Sequence, residues 1–128
     1  MLMAGPAHAA TLEVVVAGVR NNTGDIRVAV CSEQAFLKPT CEHVGHAPAS
    51  AGEVVVRIPN VPPGVWAAQA FHDENRNGVI DKNLFGIPTE GLGFSNDAKI
   101  MFGPPDFATA AFQLAPAGGR IRFALRYF

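Results

Sequence analysis

The stretch Arg120-Ile121-Arg122-Phe123-Ala124-Leu125-Arg126-Tyr127 decides the fold class of this chain. Ile121, Phe123, Leu125 and Tyr127 fall at every second position, with Arg120, Arg122 and Arg126 between them. Successive side chains of a strand point to opposite faces, so a period of two marks a strand with one buried and one wet face. On a helix the same spacing would throw Ile121 and Phe123 onto opposite sides. The pattern recurs outward along the chain. Glu53 to Ile58 aligns Val54, Val56 and Ile58 against Glu53 and Arg57. Asp25 to Cys31 aligns Ile26, Val28 and Val30 against Asp25 and Arg27, and Thr11 to Ala17 aligns Leu12, Val14 and Val16. Val65 to His72 and Phe107 to Leu114 are more continuously apolar, as in strands covered on both faces.

Turn residues separate these runs. Asn21-Asn22-Thr23-Gly24 tolerates positive φ and predicts a hairpin between the first two strands. Ala117-Gly118-Gly119 predicts a second hairpin joining the last two, and Pro62-Pro63-Gly64 enforces a turn before Val65. One short helix is expected over Ser32 to Leu37, capped by Ser32. Six or seven short strands with little helix predict an all-β antiparallel β-sandwich.

The 128 residues suit one domain, expected over 10–128, with 48% hydrophobic and 16% charged residues. That balance argues against disorder. A net charge of -1 and no basic tract give no support for nucleic-acid binding. No apolar run approaches the roughly 20 residues of a membrane-spanning helix. Polar outer faces on four strands predict a monomer. Ala7-His8-Ala9 is a small-x-small pattern, so residues 1–9 read as the remnant of a signal peptide lacking its basic start. Cys31 and Cys41, the only cysteines, suit one disulfide in an oxidising compartment. A periplasmic or secreted location follows from both readings.

The chemistry concentrates in Asp73-Glu74-Asn75-Arg76-Asn77-Gly78-Val79-Ile80-Asp81. Calcium takes six to eight oxygen ligands, and alternate positions of a tight loop can aim oxygens at one centre. Asp73, Asn75 and Asn77 stand at the first, third and fifth places, the Val79 carbonyl at the seventh and Asp81 at the ninth, with Gly78 allowing the sharp turn. The twelfth place is Leu84, not the bidentate Glu of a helix–loop–helix calcium site, and the preceding segment reads as a strand. Glu90 or a carbonyl of the long loop that follows is the candidate for the missing ligand. With Asp73 and Asp81 the only formal anions at ligand positions, the affinity should be roughly 10⁻⁴ to 10⁻³ M, useful outside a cell. Glu74 and Arg76 are expected to face solvent. The glycine-rich stretch from Lys82 to Asp106, with Leu84, Phe85, Ile87, Leu92, Phe94 and Phe102, reads as a long ordered loop.

Two other constellations compete. His43, His46 and His72 are conceivable transition-metal ligands. His72, Glu90 and Ser95 could serve a hydrolase or small-ligand carrier with a pocket under the 82–106 loop, although no nucleophile-elbow pattern accompanies them.

Phe71-His72-Asp73-Glu74-Asn75, Asn77-Gly78, Asp81, Asn83, Phe85 to Gly91 and Gly93-Phe94-Ser95-Asn96 together resemble the bacterial family known as domain of unknown function 2141. Val61 to Ala67 and the closing Ile121 to Tyr127 strand fit it too, so the likeness spans nearly the whole chain beyond residue 9. The resemblance implies an exported sandwich related to transthyretin-like and collagen-adhesin B-type modules, and implies no activity. The expected function is therefore a non-catalytic exported module with a structural calcium loop, contacting a protein, glycan or envelope component.

Overall fold

Alternating apolar side chains bury themselves here by forming two sheets that face each other. The computed structural model describes residues 10–101 and 103–128; the signal-peptide reading of residues 1–9, and Phe102, lie outside them. Eight strands occur among the described residues: β1 (Ala10–Val19), β2 (Asp25–Cys31), β3 (His43–Pro48), β4 (Gly52–Val61), β5 (Gly64–Asp73), β6 (Leu92–Phe94), β7 (Phe112–Leu114) and β8 (Gly119–Ala124). A single 3₁₀ turn (Ser95–Asp97) and a four-residue helix, α1 (Phe107–Ala110), complete the order. One sheet runs β4-β1-β8; the other runs β3-β2-β5-β6, with β7 also paired to β5.

The faces that alternation assigned to the interior meet between the sheets. Leu12, Val14 and Val16 pack with Ile26, Val28, Val30, Val54, Val56, Ile58 and Phe123 in the main core. On the outer face of the three-stranded sheet, Glu13 lies between Arg57 and Arg120, at 2.8 and 3.0 Å, and Arg122 pairs with Glu53. All-β sandwich architecture is thus as expected, with eight strands rather than six or seven: the short β3 and β6 lack a clear alternating signal.

Four local expectations are corrected. First, β1 and β2 do not form a hairpin; β1 pairs antiparallel with β4, and the turn at 21–24 carries the chain to the opposite sheet. Two strands with one buried face each can pair side by side or face each other, and turn composition does not choose between these. Gly24 (φ 78°) is needed at this crossing, because a Cβ there would run into the Asp73 carbonyl and the Glu74 backbone. Second, Ala117-Gly118-Gly119 also joins opposite sheets: β7 pairs with β5, while β8 lies parallel to β1 with Val14 opposite Ile121. Third, Ser32 to Leu37 forms turns rather than a helix. Ala35 and Phe36 both donate to the Ser32 carbonyl, Leu37 has φ 67°, and the Ser32 hydroxyl donates to Glu42 instead of capping. The Cys31–Cys41 disulfide closes this segment with Cα atoms 4.7 Å apart, as the cysteine count suggests. Fourth, the first half of the expected Phe107–Leu114 strand is α1, whose last carbonyls are engaged by the Ser95 hydroxyl and the Asn96 amide.

That disulfide segment and α1 cover half of the outer face of the five-stranded sheet. Phe36 meets Phe94 and Phe107 edge to face at 5.9 and 5.8 Å, over Cys31, Ala67 and Ala110. No described helix is long and apolar enough to cross a membrane. Replacing both cysteines with serine should lower stability by about 2–3 kcal/mol on the loop-entropy estimate, read as a shifted urea midpoint with an unchanged strand-type circular dichroism spectrum.

Candidate functional site

Strand β5 ends where it runs out of partners, and its last residue is a carboxylate with no exposed surface, Asp73. In the β2–β5 ladder Asp73 stands directly opposite Asp25. Like charges in register repel, and two arginines relieve them. Arg27 donates from Nε to Asp73 Oδ2 at 2.7 Å and lies 4.0 Å from Asp25; Arg76 reaches Asp25 at 3.4 Å. The chain beyond Asp73 then curls round its carboxylate. The Asn77 N–H donates to Oδ1 at 3.1 Å and the Gly78 N–H to Oδ2 at 2.8 Å, with Gly78 at φ 82°. Burial pushes the Asp73 carboxyl up, but Arg27 and these two N–H groups outweigh it and hold it below its ordinary value.

Side chains of the loop then converge. Asn75 Oδ1 accepts from the Asn77 N–H and Asn77 Oδ1 from the Val79 N–H, which fixes both amides. Their Nδ2 atoms both donate to the Asp81 carboxylate, at 2.6 and 2.8 Å. The buried Glu90 clasps the neck of the loop: its two oxygens accept from the Glu74 N–H at 2.8 Å and the Asp81 N–H at 3.1 Å. Of the six ligand candidates, Asn75, Asn77 and Asp81 are therefore joined by hydrogen bonds, with the two amide nitrogens on the carboxylate and the two amide oxygens on backbone N–H groups. Asp73 anchors the turn beneath them and Glu90 uses both oxygens on backbone. Among the described residues no three His, Cys, Asp or Glu side chains gather as a metal cluster; Asn75 and Asn77 are outside that definition.

The sequence reading misses the supporting residues. Glu74 does not face solvent freely: Arg20 grips it at 3.1 and 2.6 Å and Asn21 adds a bond at 2.8 Å. Arg20 holds the Glu74 carboxyl below its usual range, against the upward push of burial and with help from Asn21. Arg76 is largely exposed, as expected. Arg20 and Arg27 lie about 50 residues from their partners in sequence, and nothing local announces them.

The competing constellations separate. His72 is fully buried, with Nε2 2.6 Å from the Thr23 carbonyl and Nδ1 2.7 Å from the Tyr127 hydroxyl. A carbonyl only accepts, so Nε2 carries the hydrogen and Nδ1 takes the Tyr127 O–H, which itself accepts the Arg20 N–H at 3.1 Å. Ser95 is buried on the backbone of Ala68, four residues along β5 from His72, roughly 13 Å at the strand rise. Its hydroxyl has no path to the imidazole. The groove beside this segment, about 270 Å³ and lined by Leu92, Phe94, Asp97, Lys99 and Arg126 among others, contains none of His72, Glu90 or Ser95. His43 packs on Trp66 at 5.0 Å, and three positions separate it from His46, which puts the two on opposite faces of β3.

Two variants test this site. Because the Asp73 carboxyl lies below its ordinary 3.8 in the folded protein, its stabilisation is complete above that value and is lost as pH falls through the lower folded value. Asp73→Asn should cost about 2–3 kcal/mol at neutral pH by weakening the Arg27 contact. It should also flatten the loss of stability below about pH 4 in an acid titration followed by circular dichroism. Tyr127→Phe leaves His72 Nδ1 buried without a donor and should cost about 1–3 kcal/mol in urea unfolding.

No match occurs among curated proteins or solved structures. The profile of one family, described as "uncharacterized protein conserved in bacteria (DUF2141)", matches residues 14–122, from the first core valine of β1 through the middle of β8 and with the whole loop between. The chain is a member of that DUF2141 family.

Proposed function

We propose that this protein is an exported, non-catalytic β-sandwich module whose loop 73–90 is organised by a weakly held calcium ion and serves as a contact surface for an envelope-side partner. The observation that carries the reading is the convergence of Asn75 and Asn77 on the Asp81 carboxylate, above a turn wound on Asp73. An Asn side chain rotated by 180° exchanges its N–H₂ for its oxygen. The same two amides can thus present oxygen beside the Asp81 carboxylate, at the cost of the bonds their oxygens now accept from the Asn77 and Val79 N–H groups. Hard oxygen donors of this kind suit calcium or magnesium rather than zinc or copper. The ion would replace two amide donors on Asp81, and the Glu90 clasp would keep the neck closed around it.

Export is supported by the Cys31–Cys41 bond, since disulfides persist in oxidising compartments. The kinship with transthyretin-like and collagen-adhesin B-type modules belongs to the same proposal, and facing sheets of β strands agree with it. A hydrolase or carrier is disfavoured because the hydrogen-bonding groups of His72, Glu90 and Ser95 are each committed to neighbouring groups.

Calcium at about ten times its dissociation constant should stabilise the fold by about 1.4 kcal/mol, a rise of several degrees in melting temperature by scanning calorimetry. Asp81→Ala should remove the rise, judged against that variant's own calcium-free melting temperature. An unaltered melting temperature in about 10 mM calcium, above the roughly millimolar range expected of such a loop, would sink the ion.

A further inference from the structure

Beyond the 73–81 loop the chain makes a second, narrower projection whose apolar side chains belong to neither hydrophobic cluster of the molecule. Lys82 and Pro88 form an antiparallel bridge, and Thr89 donates to the Asp81 carbonyl at 2.9 Å. Asn83 pins the turn between them. Its N–H donates to the Ile87 carbonyl, its carbonyl accepts from Gly86, and its Oδ1 accepts from the N–H groups of Phe85 and Ile87 at 2.8 and 3.1 Å. Gly86 takes φ 76°. The residues displayed at the apex are apolar. Leu84 is 101% exposed, Phe85 87% and Ile87 45%, and Val79 of the neighbouring loop is 59% exposed. Isolated surface leucines are unremarkable, but three large apolar residues within four positions on a hydrogen-bonded turn form an organised patch.

The charges around this patch are sorted by depth. The loop and its ion-pair partners carry five carboxylates, and these point inward: Asp73 and Glu90 are buried, the Asp25 and Glu74 side chains are 14% and 20% exposed, and Asp81 is half-buried under two amides. Its four cations are Arg20, Arg27, Arg76 and Lys82, of which Arg76 is 62% exposed, Arg20 45%, and Lys82 exposed beside the apex. The outward side is therefore more cationic than the composition of the segment, and a bound divalent ion would turn its excess of one negative charge into one positive.

We propose that this apex docks the protein onto an anionic lipid surface, with Leu84 and Phe85 entering the headgroup–acyl boundary and Lys82 and Arg76 meeting lipid phosphates. The proposal rests on the reading of loop 73–90 as the contact surface. A side chain as exposed as Leu84 projects rather than lining a hollow, and a fluid interface accepts such a projection without a shaped pocket. A protein partner would need a matched cavity and about 800 Å² of surface on each side, far more than three side chains provide. The prior hydrogen bonding of the turn means that insertion has little backbone left to order. Anionic lipid, rather than neutral lipid, follows from the outward cations.

Co-sedimentation of the whole chain with vesicles tests this. Phosphatidylglycerol–phosphatidylcholine vesicles should retain the protein, pure phosphatidylcholine should retain it much less, and added salt should release it. Phe85→Ser and Leu84→Ser should each weaken retention by about tenfold or more with unchanged melting temperatures, since neither side chain touches the core. No retention of the wild type on anionic vesicles with or without calcium overturns the proposal, as does equal retention of the Leu84→Ser/Phe85→Ser double variant. Concentration-dependent dimers in sedimentation velocity that disappear in Phe85→Ser, without vesicle binding, also overturn it in favour of a second copy. The ion is judged separately. A calcium-raised melting temperature without vesicle binding overturns only lipid docking. Vesicle binding that survives chelation, with no calcium effect on melting, supports lipid docking and overturns only the ion.

Discussion

Asp73 is a charge without solvent, and the polar end of the molecule is arranged to keep it ionised. A buried carboxylate stripped of partners costs several kcal/mol, far more than a bond at the surface contributes. Its three donors come from two sources: Arg27 on the neighbouring strand, and the backbone N–H groups of Asn77 and Gly78. The second source dictates the path of the chain. To bring those N–H groups to Asp73, residues 74–78 must turn back on the strand that delivered them. That turn then places Asn75 and Asn77 beside Asp81, and the Asp81 N–H on Glu90. The direction in which the 82–89 projection leaves the sandwich thus follows from the solvation of one carboxylate.

The two ends of the five-stranded sheet solve different problems. At the disulfide end, Phe36, Phe94 and Phe107 cover the outer face with apolar contacts. At the Asp73 end the outer face is left open as a groove of about 660 Å³, lined by Arg27, Ala29, His46, Gln69 and Phe71 among others, with Gly78 of the loop at its rim. The stretch from 82 to 106 serves both ends. Its first part is the exposed apex, whereas Phe94 and the 3₁₀ turn are inserted into the molecule, with Ser95 tied to β5 and Asp97 to the Ala124 N–H at 2.8 Å. A single description of this stretch as one long loop merges a projecting turn with a buried strand. Its apolar residues carry no periodicity that distinguishes Phe85, which is exposed, from Phe94, which is not.

Much of the candidate site is readable from spacing because its key bonds are local. Asn75, Asn77, Gly78 and Asp81 lie within nine residues of Asp73, and a turn rich in Asn and Gly closes on itself in few ways. Glu90 is recognisable as a participant, though its role differs from ligation: it braces backbone N–H groups. Arg20, Arg27 and Tyr127 are not legible at all, since each acts across tens of residues and arginines on wet strand faces look alike. The same holds for the pairing of strands. Alternation identifies Leu12, Ile26, Val56 and Phe123 as core residues, yet it is silent on whether β1 lies beside β2 or across from it.

By itself, then, the sequence determined which face of each alternating strand turns to the core, that the two cysteines suit one bond, and that oxygen-bearing side chains crowd a nine-residue turn. These are consequences of periodicity and short-range chain geometry. Only the tertiary structure decided the parallel docking of β8 on β1, the crossing of both expected hairpins between sheets, the conversion of half a strand into α1, and the neutralisation of Asp73 by Arg27. Those outcomes depend on contacts between segments far apart in the chain, where many pairings bury equal apolar area and the choice rests on charge, close approach and the closure of the whole core.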